Sequence, residues 1–205
     1  MSNLAGLTKA ELTRATILDA AVDMASESGL ESLTIGSVAE RAGLSKSGVF
    51  SRFGSREELQ LAVLQEYERR FVDDVLLPSL REKPGLPRLA SMFRRWVERV
   101  RREELARGCL FVGSSFEYDD RPGALREAVL AGVDAWRAQL ARAARQALEF
   151  GHLRREIDVD QLVFEIYSLM LGLHHDARFR KDPQAVERVV AAFERLVESC
   201  KVQAA

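Results

Sequence analysis

The sequence has few of the residues that mark secreted or membrane-spanning proteins. Its two cysteines, Cys109 and Cys200, lie far apart and match neither a disulfide framework nor a zinc-binding spacing. No run approaches the roughly 18 uninterrupted apolar residues of a membrane-spanning helix. Residues 1–15 lack the charged and then apolar layout of a signal peptide. These absences predict a cytoplasmic protein that does not span a membrane.

Strand signals and catalytic motifs are also scarce. The chain of 205 residues has only five prolines and few strand-like alternations of polar and apolar residues, so we predict an all-α fold. It has no nucleophile–base motif, no glycine loop that cradles phosphate and no carboxylate pair at catalytic spacing, so no enzyme is predicted. The net charge of −1 argues against a protein that coats nucleic acid, but it allows a local basic surface.

Residues 34–53 carry the clearest functional signal, two short helices joined by a tight turn. Thr34 and Ser45 are residue types that cap helix N-termini, and Gly43 lies between them, where the chain must turn. Positions 41–56 contain no acidic residue and four basic ones, which are Arg41, Lys46, Arg52 and Arg56. A short basic second helix that starts with small residues predicts a DNA-reading helix-turn-helix.

Apolar periodicity and capping residues divide the chain into helices. The predicted helices cover 8–28, two short segments within 34–53, then 55–77, 87–104, 108–116, 122–150, a segment that opens at Asp158 and a last one with Asp182 as its N-cap. We interpret residues 1–55 as the helix-turn-helix domain and residues 56–205 as a larger domain for ligand binding and dimerisation.

The larger domain contains candidate residues for a ligand pocket and for an interface with a second copy of the chain. The candidate lining of a pocket for an apolar or aromatic molecule is Trp96, Phe111, Phe116, Trp136, Tyr167 and Met170, each of which has ordinary core packing as its alternative. The helix from 158 is apolar on two sides and the last helix has an apolar stripe, which predicts a four-helix interface between protomers. Its candidate residues are Leu162, Ile166, Met170, Val189, Phe193 and Leu196.

No cofactor and no metal site are predicted. His174 and His175 are adjacent, and neighbouring side chains on a helix point about 100° apart, so this pair cannot share one ion without other ligands. Cys109 and Cys200 lie in apolar runs, where a thiol is less reactive, so a redox role is not predicted either.

Residues 10–65 resemble the N-terminal part of the tetracycline-repressor (TetR-like) family of bacterial transcription regulators. The resemblance is carried by the joint spacing of Ile17, Thr34, Val38-Ala39, Ala42-Gly43-Leu44-Ser45, Phe53 and Glu58-Leu59. Beyond residue 65 it rests on the number and order of helices. It implies a nine-helix, all-α homodimer, most often a repressor. The headpiece of such a protein reads a palindromic operator in double-stranded DNA, and its larger domain binds a small-molecule effector that releases the DNA.

Carried over by position, the resemblance implies DNA contacts at Thr34, Ser45, Lys46, Ser47, Gly48, Phe50, Arg52 and Arg56. Phe50 stands where the family usually has a tyrosine whose hydroxyl contacts a phosphate, so it either packs on a sugar or thymine methyl group or is buried. We expect Arg52 to replace the lost phosphate contact. The alternative to a transcription regulator is a different class of protein, an all-α small-molecule-binding or enzymatic domain with a vestigial helix-turn-helix.

Overall fold

The computed structural model describes residues 8–202 of the chain. Within that span the regular structure consists of nine helices and one short 3₁₀ turn (Leu30–Ser32), with no β-strand among the described residues. The helices are α1 (Lys9–Ser28), α2 (Ile35–Arg41), α3 (Lys46–Phe53), α4 (Arg56–Phe71), α5 (Leu86–Arg99), α6 (Leu110–Glu117), α7 (Ala124–Glu149), α8 (Val159–His174) and α9 (Ala185–Cys200). The predicted all-α fold is confirmed.

Three helices continue beyond these bounds through wider, π-type turns. α4 continues through Val72–Leu76 to Leu77–Ser79, and α5 continues through Val100–Glu104 to Leu105–Arg107. α8 continues through His175–Phe179. Among the described helices, none combines the length and the apolar character that crossing a membrane requires.

The contacts between residues group the described chain into two units. The N-terminal unit contains residues 8–69 and 110–130, and the C-terminal unit contains residues 70–109 and 131–202. α6 and the start of α7 therefore pack with the N-terminal helices, although they come much later in the sequence. The predicted domain boundary after residue 55 lies inside the N-terminal unit, because the first part of α4 packs there as well.

Side chains cap the N-termini of the first three helices, and the caps of α2 and α3 are the predicted Thr34 and Ser45. Thr8 accepts a hydrogen bond from the Glu11 backbone N–H, and the Glu11 carboxylate accepts one from the Thr8 N–H at 2.7 Å. Thr34 and Ser45 each accept a hydrogen bond from the backbone N–H three positions later, at 3.0 and 3.1 Å. Each such cap stabilises its helix by about 1 kcal/mol, so short-range bonds define where these helices begin.

Apolar side chains from α1, the 3₁₀ turn and α2–α4 form the core of the N-terminal unit. Leu30 and Leu33, in the connection after α1, are completely buried. Other buried members are Ile17, Ala21, Val38, Val49, Phe53 and Leu59. Full burial of a large apolar side chain stabilises a fold by about 1.5–3 kcal/mol, so this small unit has a core of its own.

α5, α8 and α9 supply the centre of the core of the C-terminal unit. Phe93 of α5 and Phe193 of α9 stack with ring centroids 3.8 Å apart and ring planes 4° apart. Ile166 and Met170 of α8 are buried in the same core. Burial on more than one side explains why the sequence of α8 is apolar around much of its circumference.

The bounds of two predicted helices differ in the structure. Residues 108–116 are predicted as a helix, and the helix found there is Leu110–Glu117, with Leu110 buried and Phe116 64 % exposed. Asp182 is predicted as the N-cap of the last helix, whereas α9 begins at Ala185 and Asp182 accepts a hydrogen bond from the Gln184 N–H at 2.9 Å. Residues 183–184 form a turn before the helix, so α9 starts two positions after Pro183.

Candidate functional site

A glycine turn joins α2 to α3. Gly43 adopts φ +66°, a left-handed conformation that glycine takes without the steric cost of a side chain. Backbone hydrogen bonds close the turn, because the Leu44 N–H donates to the Ala39 carbonyl at 2.9 Å and the Gly43 N–H donates to the Glu40 carbonyl at 3.2 Å. The two helices of the predicted DNA-reading unit are thereby joined by residues 42–45.

α3 has one buried face and one exposed face. Val49 and Phe53 are buried and anchor the helix in the N-terminal unit. The other face consists of residues predicted to meet DNA, namely Ser45, Lys46, Ser47, Phe50 and Arg52, with Gly48 partly exposed. The Phe50 side chain is 56 % exposed, so its burial, one of the two predicted alternatives, is excluded.

Lys46 and Arg52 supply the positive charge of this exposed face. Neither side chain forms an ion pair with any residue between 8 and 202, and no acidic residue occurs in positions 41–56. The Arg52 guanidinium donates to the Gly48 carbonyl of its own helix at 2.8 Å. Exposed cations without an acidic partner are suited to neutralising DNA phosphates.

Arg56 and Thr34 have partners inside the N-terminal unit. The Arg56 guanidinium donates to the Leu33 carbonyl at 2.7 Å and to the Glu31 carboxylate at 2.6 Å, so it holds the connection between α1 and α2. A phosphate contact by this side chain competes with those bonds, whereas the Arg56 backbone N–H lies in the first turn of α4, where helices bind phosphate. Thr34 is exposed, and its hydroxyl caps α2.

A carboxylate at the end of α6 also holds the connection between α1 and α2. Glu117 accepts hydrogen bonds from the backbone N–H groups of Leu30 and Glu31, both at 2.9 Å. Next to it, the Tyr118 hydroxyl donates to the Glu31 carboxylate at 2.5 Å, which lowers the pKa of Glu31, while burial raises the pKa of Tyr118. The sequence does not predict these contacts, because 87 positions separate Leu30 from Glu117.

Four predicted pocket residues lie in the C-terminal unit, namely Trp96, Trp136, Tyr167 and Met170. Trp136 is half-buried, and its indole N–H donates to the Met170 sulfur at 3.4 Å. The Arg137 guanidinium lies over the Tyr167 ring, 5.1 Å from its centroid, and burial raises the pKa of Tyr167 to about 12. Aromatic side chains that are only partly covered can face an apolar or aromatic ligand.

The other two predicted pocket residues, Phe111 and Phe116, belong to α6 in the N-terminal unit. The Phe111 ring packs against the Tyr67 ring, with centroids 5.7 Å apart, and Phe116 is exposed. The structure therefore does not group these two with the other four. Their role in binding a ligand stays a prediction.

The predicted interface residues are mostly core residues of the protomer. Leu162, Ile166, Met170, Val189 and Phe193 are all buried within the single chain, and Leu196 is partly buried. These side chains pack mainly inside one protomer, and their place in an interface between protomers stays a prediction. The burial arises because α8 and α9 pack their apolar stripes on each other and on α5, so these side chains already have partners inside the C-terminal unit.

The structure also brings His174 next to two residues that are distant in the sequence. One side-chain atom from each of Glu104, Cys109 and His174 lies within 4.8 Å of the others. Burial by itself lowers the pKa of His174, but the neighbouring Cys109 and Glu104 raise it to about 10. Sequence reasoning compared His174 with the adjacent His175 and Asp176 and with the distant His152, and so missed this cluster. His175 is exposed and contacts Asp176.

The helix-turn-helix, the exposed basic face of α3 and the helical C-terminal unit together define a DNA-binding transcription regulator. Two family models match the chain. The model described as bacterial regulatory proteins, tetR family, matches residues 17–63, and the model described as tetracyclin repressor-like, C-terminal domain, matches residues 85–193. The chain belongs to the TetR family of bacterial transcription regulators.

Individual relatives are distant in sequence but similar in structure. The transcriptional regulator AcuR of Cereibacter sphaeroides is 24 % identical over 193 residues, which cover 93 % of this chain and 87 % of that protein. A TetR regulator from Chloroflexus aurantiacus has a TM-score of 0.87 at 23 % identity, covering 97 % of this chain and 100 % of that one. A transcriptional regulator from Saccharomonospora viridis, solved in complex with choline, has a TM-score of 0.77 at 20 % identity. The match covers 96 % of this chain and 100 % of that one. These structural similarities confirm the fold.

Proposed function

We propose that this protein is a homodimeric repressor that reads a palindromic operator in the major groove and releases it when a small molecule binds. The observation that carries the proposal is the exposed face of α3, where Lys46 lies among small residues in a stretch without acidic residues. Membership of the TetR family supports regulation through DNA binding. The protein acts in the cytoplasm, where bacterial DNA lies, and as a regulator rather than an enzyme.

α3 is the helix proposed to enter the major groove. Ser45, Ser47 and Gly48 let its backbone approach the base edges closely, because their side chains are small. Lys46 and Arg52 neutralise phosphates and so fix the register of the helix on the DNA. The full proposed contact set is Thr34, Ser45, Lys46, Ser47, Gly48, Phe50, Arg52 and Arg56, with Arg56 contributing its backbone N–H.

A second copy of the chain is needed because one short reading helix contacts too few base pairs for a specific site. We place the contact between protomers on the outer side of α8 and α9, since the inner side of these helices is core. A shallow groove between the two helices is lined by residues that include the predicted interface residue Val189 together with Ser168, Leu169, Gly172, Leu173, Arg188, Ala191, Ala192 and Arg195. Small side chains in this groove allow close approach of the same two helices from the partner.

Replacing Gly172 by Arg is expected to convert the dimer into monomers while the protomer keeps its fold. A Cβ atom at Gly172 meets no other atom within 4 Å, and loss of a glycine from a helix interior favours the helix by about 1 kcal/mol. The long charged side chain then blocks the groove. Light scattering measures the mass, and circular dichroism measures the helix content.

The matched control for this variant is Gly113→Arg. Gly113 is an exposed helical glycine in α6, and a Cβ atom there also meets nothing within 4 Å. This variant should remain dimeric. A dimeric Gly172→Arg protein would contradict the proposed interface.

The effector is proposed to be an apolar or aromatic molecule that binds in the C-terminal unit near Trp96, Trp136, Tyr167 and Met170. These aromatic rings are the support from this chain. The regulator from Saccharomonospora viridis was solved with choline, and aromatic rings attract such quaternary ammonium ions. A thermal-shift screen of apolar and aromatic compounds narrows the ligand class, since a ligand that prefers the folded state raises the unfolding temperature.

Release from DNA is proposed to be a shift between two populations. The effector prefers a state in which α4, the helix that follows the helix-turn-helix, has swung, so that the two α3 helices no longer match the spacing of the operator half-sites. The path of the chain supports a signal carried from the C-terminal unit to the helix-turn-helix. The chain leaves the N-terminal unit within α4 and returns to it at Cys109–Leu110, where α6 begins. Glu117, at the end of α6, then holds Leu30 and Glu31 beside the helix-turn-helix.

The DNA that flanks the gene for this protein is the probe that tests the function. We expect the dimer to bind one fragment, to prefer it over unrelated DNA of the same length and to bind more weakly as salt rises. Absence of such salt-dependent, sequence-preferring binding would contradict the repressor proposal. Turnover of a ligand by a protein without DNA binding would instead favour the alternative of a vestigial helix-turn-helix.

A further inference from the structure

Three side chains of types that bind metal ions meet inside the C-terminal unit. Glu104, Cys109 and His174 each contribute one potential ligand atom, and these atoms lie within 4.8 Å of one another. The Glu104 and His174 side chains are buried, and Cys109 is half-buried. A tetrahedral ion with ligand distances of about 2.0–2.3 Å holds its ligand atoms about 3.3–3.8 Å apart, so small side-chain rotations would complete the site.

The backbone around Gly108 explains why Glu104 and Cys109 meet. The Gly108 N–H donates to the Glu104 carbonyl at 2.7 Å, at the end of the extended α5 helix. Gly108 then adopts φ +105°, which favours glycine, and the chain turns so that Cys109 lies beside Glu104. The Arg178 guanidinium donates to the same Glu104 carbonyl at 3.0 Å and ties this turn to the extension of α8, the helix that carries His174.

Neighbouring residues hold the side chains in an arrangement that suits an ion. Arg99 donates to Oε1 of Glu104 at 3.2 Å, and Oε2 of the same carboxylate lies 3.1 Å from Nε2 of His174. Nε2 of His174 therefore has this carboxylate at ion-pair distance, but it makes no well-aligned hydrogen bond with any residue in the described part of the chain. A buried ring nitrogen without a hydrogen bond is rare in native proteins. A metal ion would satisfy it.

We propose that Glu104, Cys109 and His174 bind one divalent transition metal ion of the zinc class. Zn²⁺ accepts thiolate, imidazole and carboxylate ligands together, whereas Mg²⁺ and Ca²⁺ prefer oxygen ligands. Three protein ligands leave the fourth tetrahedral position for water or an exchangeable ligand. The proposal goes beyond the repressor function and does not depend on it.

The charges around the cluster fit a doubly charged cation. A carboxylate and a thiolate carry two negative charges, and the imidazole binds a metal in its neutral form. Arg99, a cation in contact with Glu104, is itself paired with Asp74 at 2.5 Å. The ion therefore enters a site in which the buried charges balance.

Cobalt(II) is the probe for this site, because a cobalt–thiolate bond gives a charge-transfer band in the near ultraviolet. With the reduced full-length protein, we expect the band to saturate at one ion per chain and to disappear when Zn²⁺ is added. Cys109→Ser should abolish the band. His174→Gln should weaken cobalt binding by more than the roughly 10- to 100-fold that loss of a supporting residue causes.

Two matched controls change the same residue types outside the cluster. Cys200→Ser removes the other thiol, and His175→Gln removes the exposed neighbouring imidazole. Both variants should bind cobalt as the unmodified protein does. If either one abolishes the band while Cys109→Ser keeps it, the proposed ligands are wrong.

An unmodified protein without a cobalt–thiolate band, or a band that persists in Cys109→Ser, would overturn the proposal. Circular dichroism without metal shows whether each variant keeps its helices. If Cys109→Ser does not fold, Glu104→Gln is the second variant, because it keeps the shape of the side chain and removes its charge. Unchanged cobalt affinity in Glu104→Gln would also overturn the proposed site. No DNA is present in these titrations, so their failure is distinct from failure of the repressor proposal.

Discussion

Replacing Lys46 by Glu is expected to weaken operator binding by about 100-fold or more. Lys46 is exposed in the first turn of α3 and forms no ion pair among residues 8–202. The substitution removes one positive contact in each half-site and adds repulsion between a carboxylate and the DNA phosphates. Since the side chain is exposed, the free energy of unfolding should change by no more than about 0.5 kcal/mol. Fluorescence anisotropy titrations with operator DNA measure the affinity.

The control for this prediction is Lys83→Glu, which makes the same change of charge at an exposed lysine in the loop before α5. It separates the effect of net charge from the effect of a local contact. The salt dependence of binding should become shallower by about two counterions per dimer in Lys46→Glu and should change little in Lys83→Glu. Equal losses of affinity in the two variants would remove Lys46 from the proposed interface.

Replacing Phe193 by Ala is expected to lower the free energy of unfolding by about 3–5 kcal/mol. The Phe193 ring is buried and stacks on Phe93, with centroids 3.8 Å apart, so truncation leaves a cavity in the core of the C-terminal unit. Denaturant titration at a fixed protein concentration measures this change, because the stability of a dimer depends on concentration.

Phe179→Ala is the control for Phe193→Ala. The Phe179 side chain is 81 % exposed at the end of the α8 extension, so its truncation should change the free energy of unfolding by no more than about 0.5 kcal/mol. Light scattering distinguishes a core role from an interface role. A folded, fully stable Phe193→Ala protein that has become monomeric would show that Phe193 acts between protomers after all.

Helix starts and the helix-turn-helix could be predicted from the sequence because they depend on residues close together in the chain. Thr8, Thr34 and Ser45 accept hydrogen bonds from backbone groups three positions later. Val49 and Phe53, four positions apart, lie on the same side of α3 and are both buried. The exposed face of α3 follows from the same helical period.

Contacts between distant segments could not be predicted in this way. An apolar stripe on α8 or α9 fits a core and an interface equally well, since both bury the same kinds of side chain. Packing alone shows that Ile166 lies in the core of the protomer. Glu117 beside Leu30, and Glu104 beside His174, depend on the path of the whole chain, which periodicity does not encode.

The exposed Phe50 ring has a thermodynamic consequence for the proposed complex with DNA. This ring is 56 % exposed on the face that also carries Lys46. Covering it with a sugar or a thymine methyl group removes apolar surface from water, which gives a negative heat-capacity change and a contribution to affinity that salt does not screen. A tyrosine hydroxyl at this position would instead add a polar phosphate contact. The enthalpy of operator binding should therefore become more favourable as temperature rises.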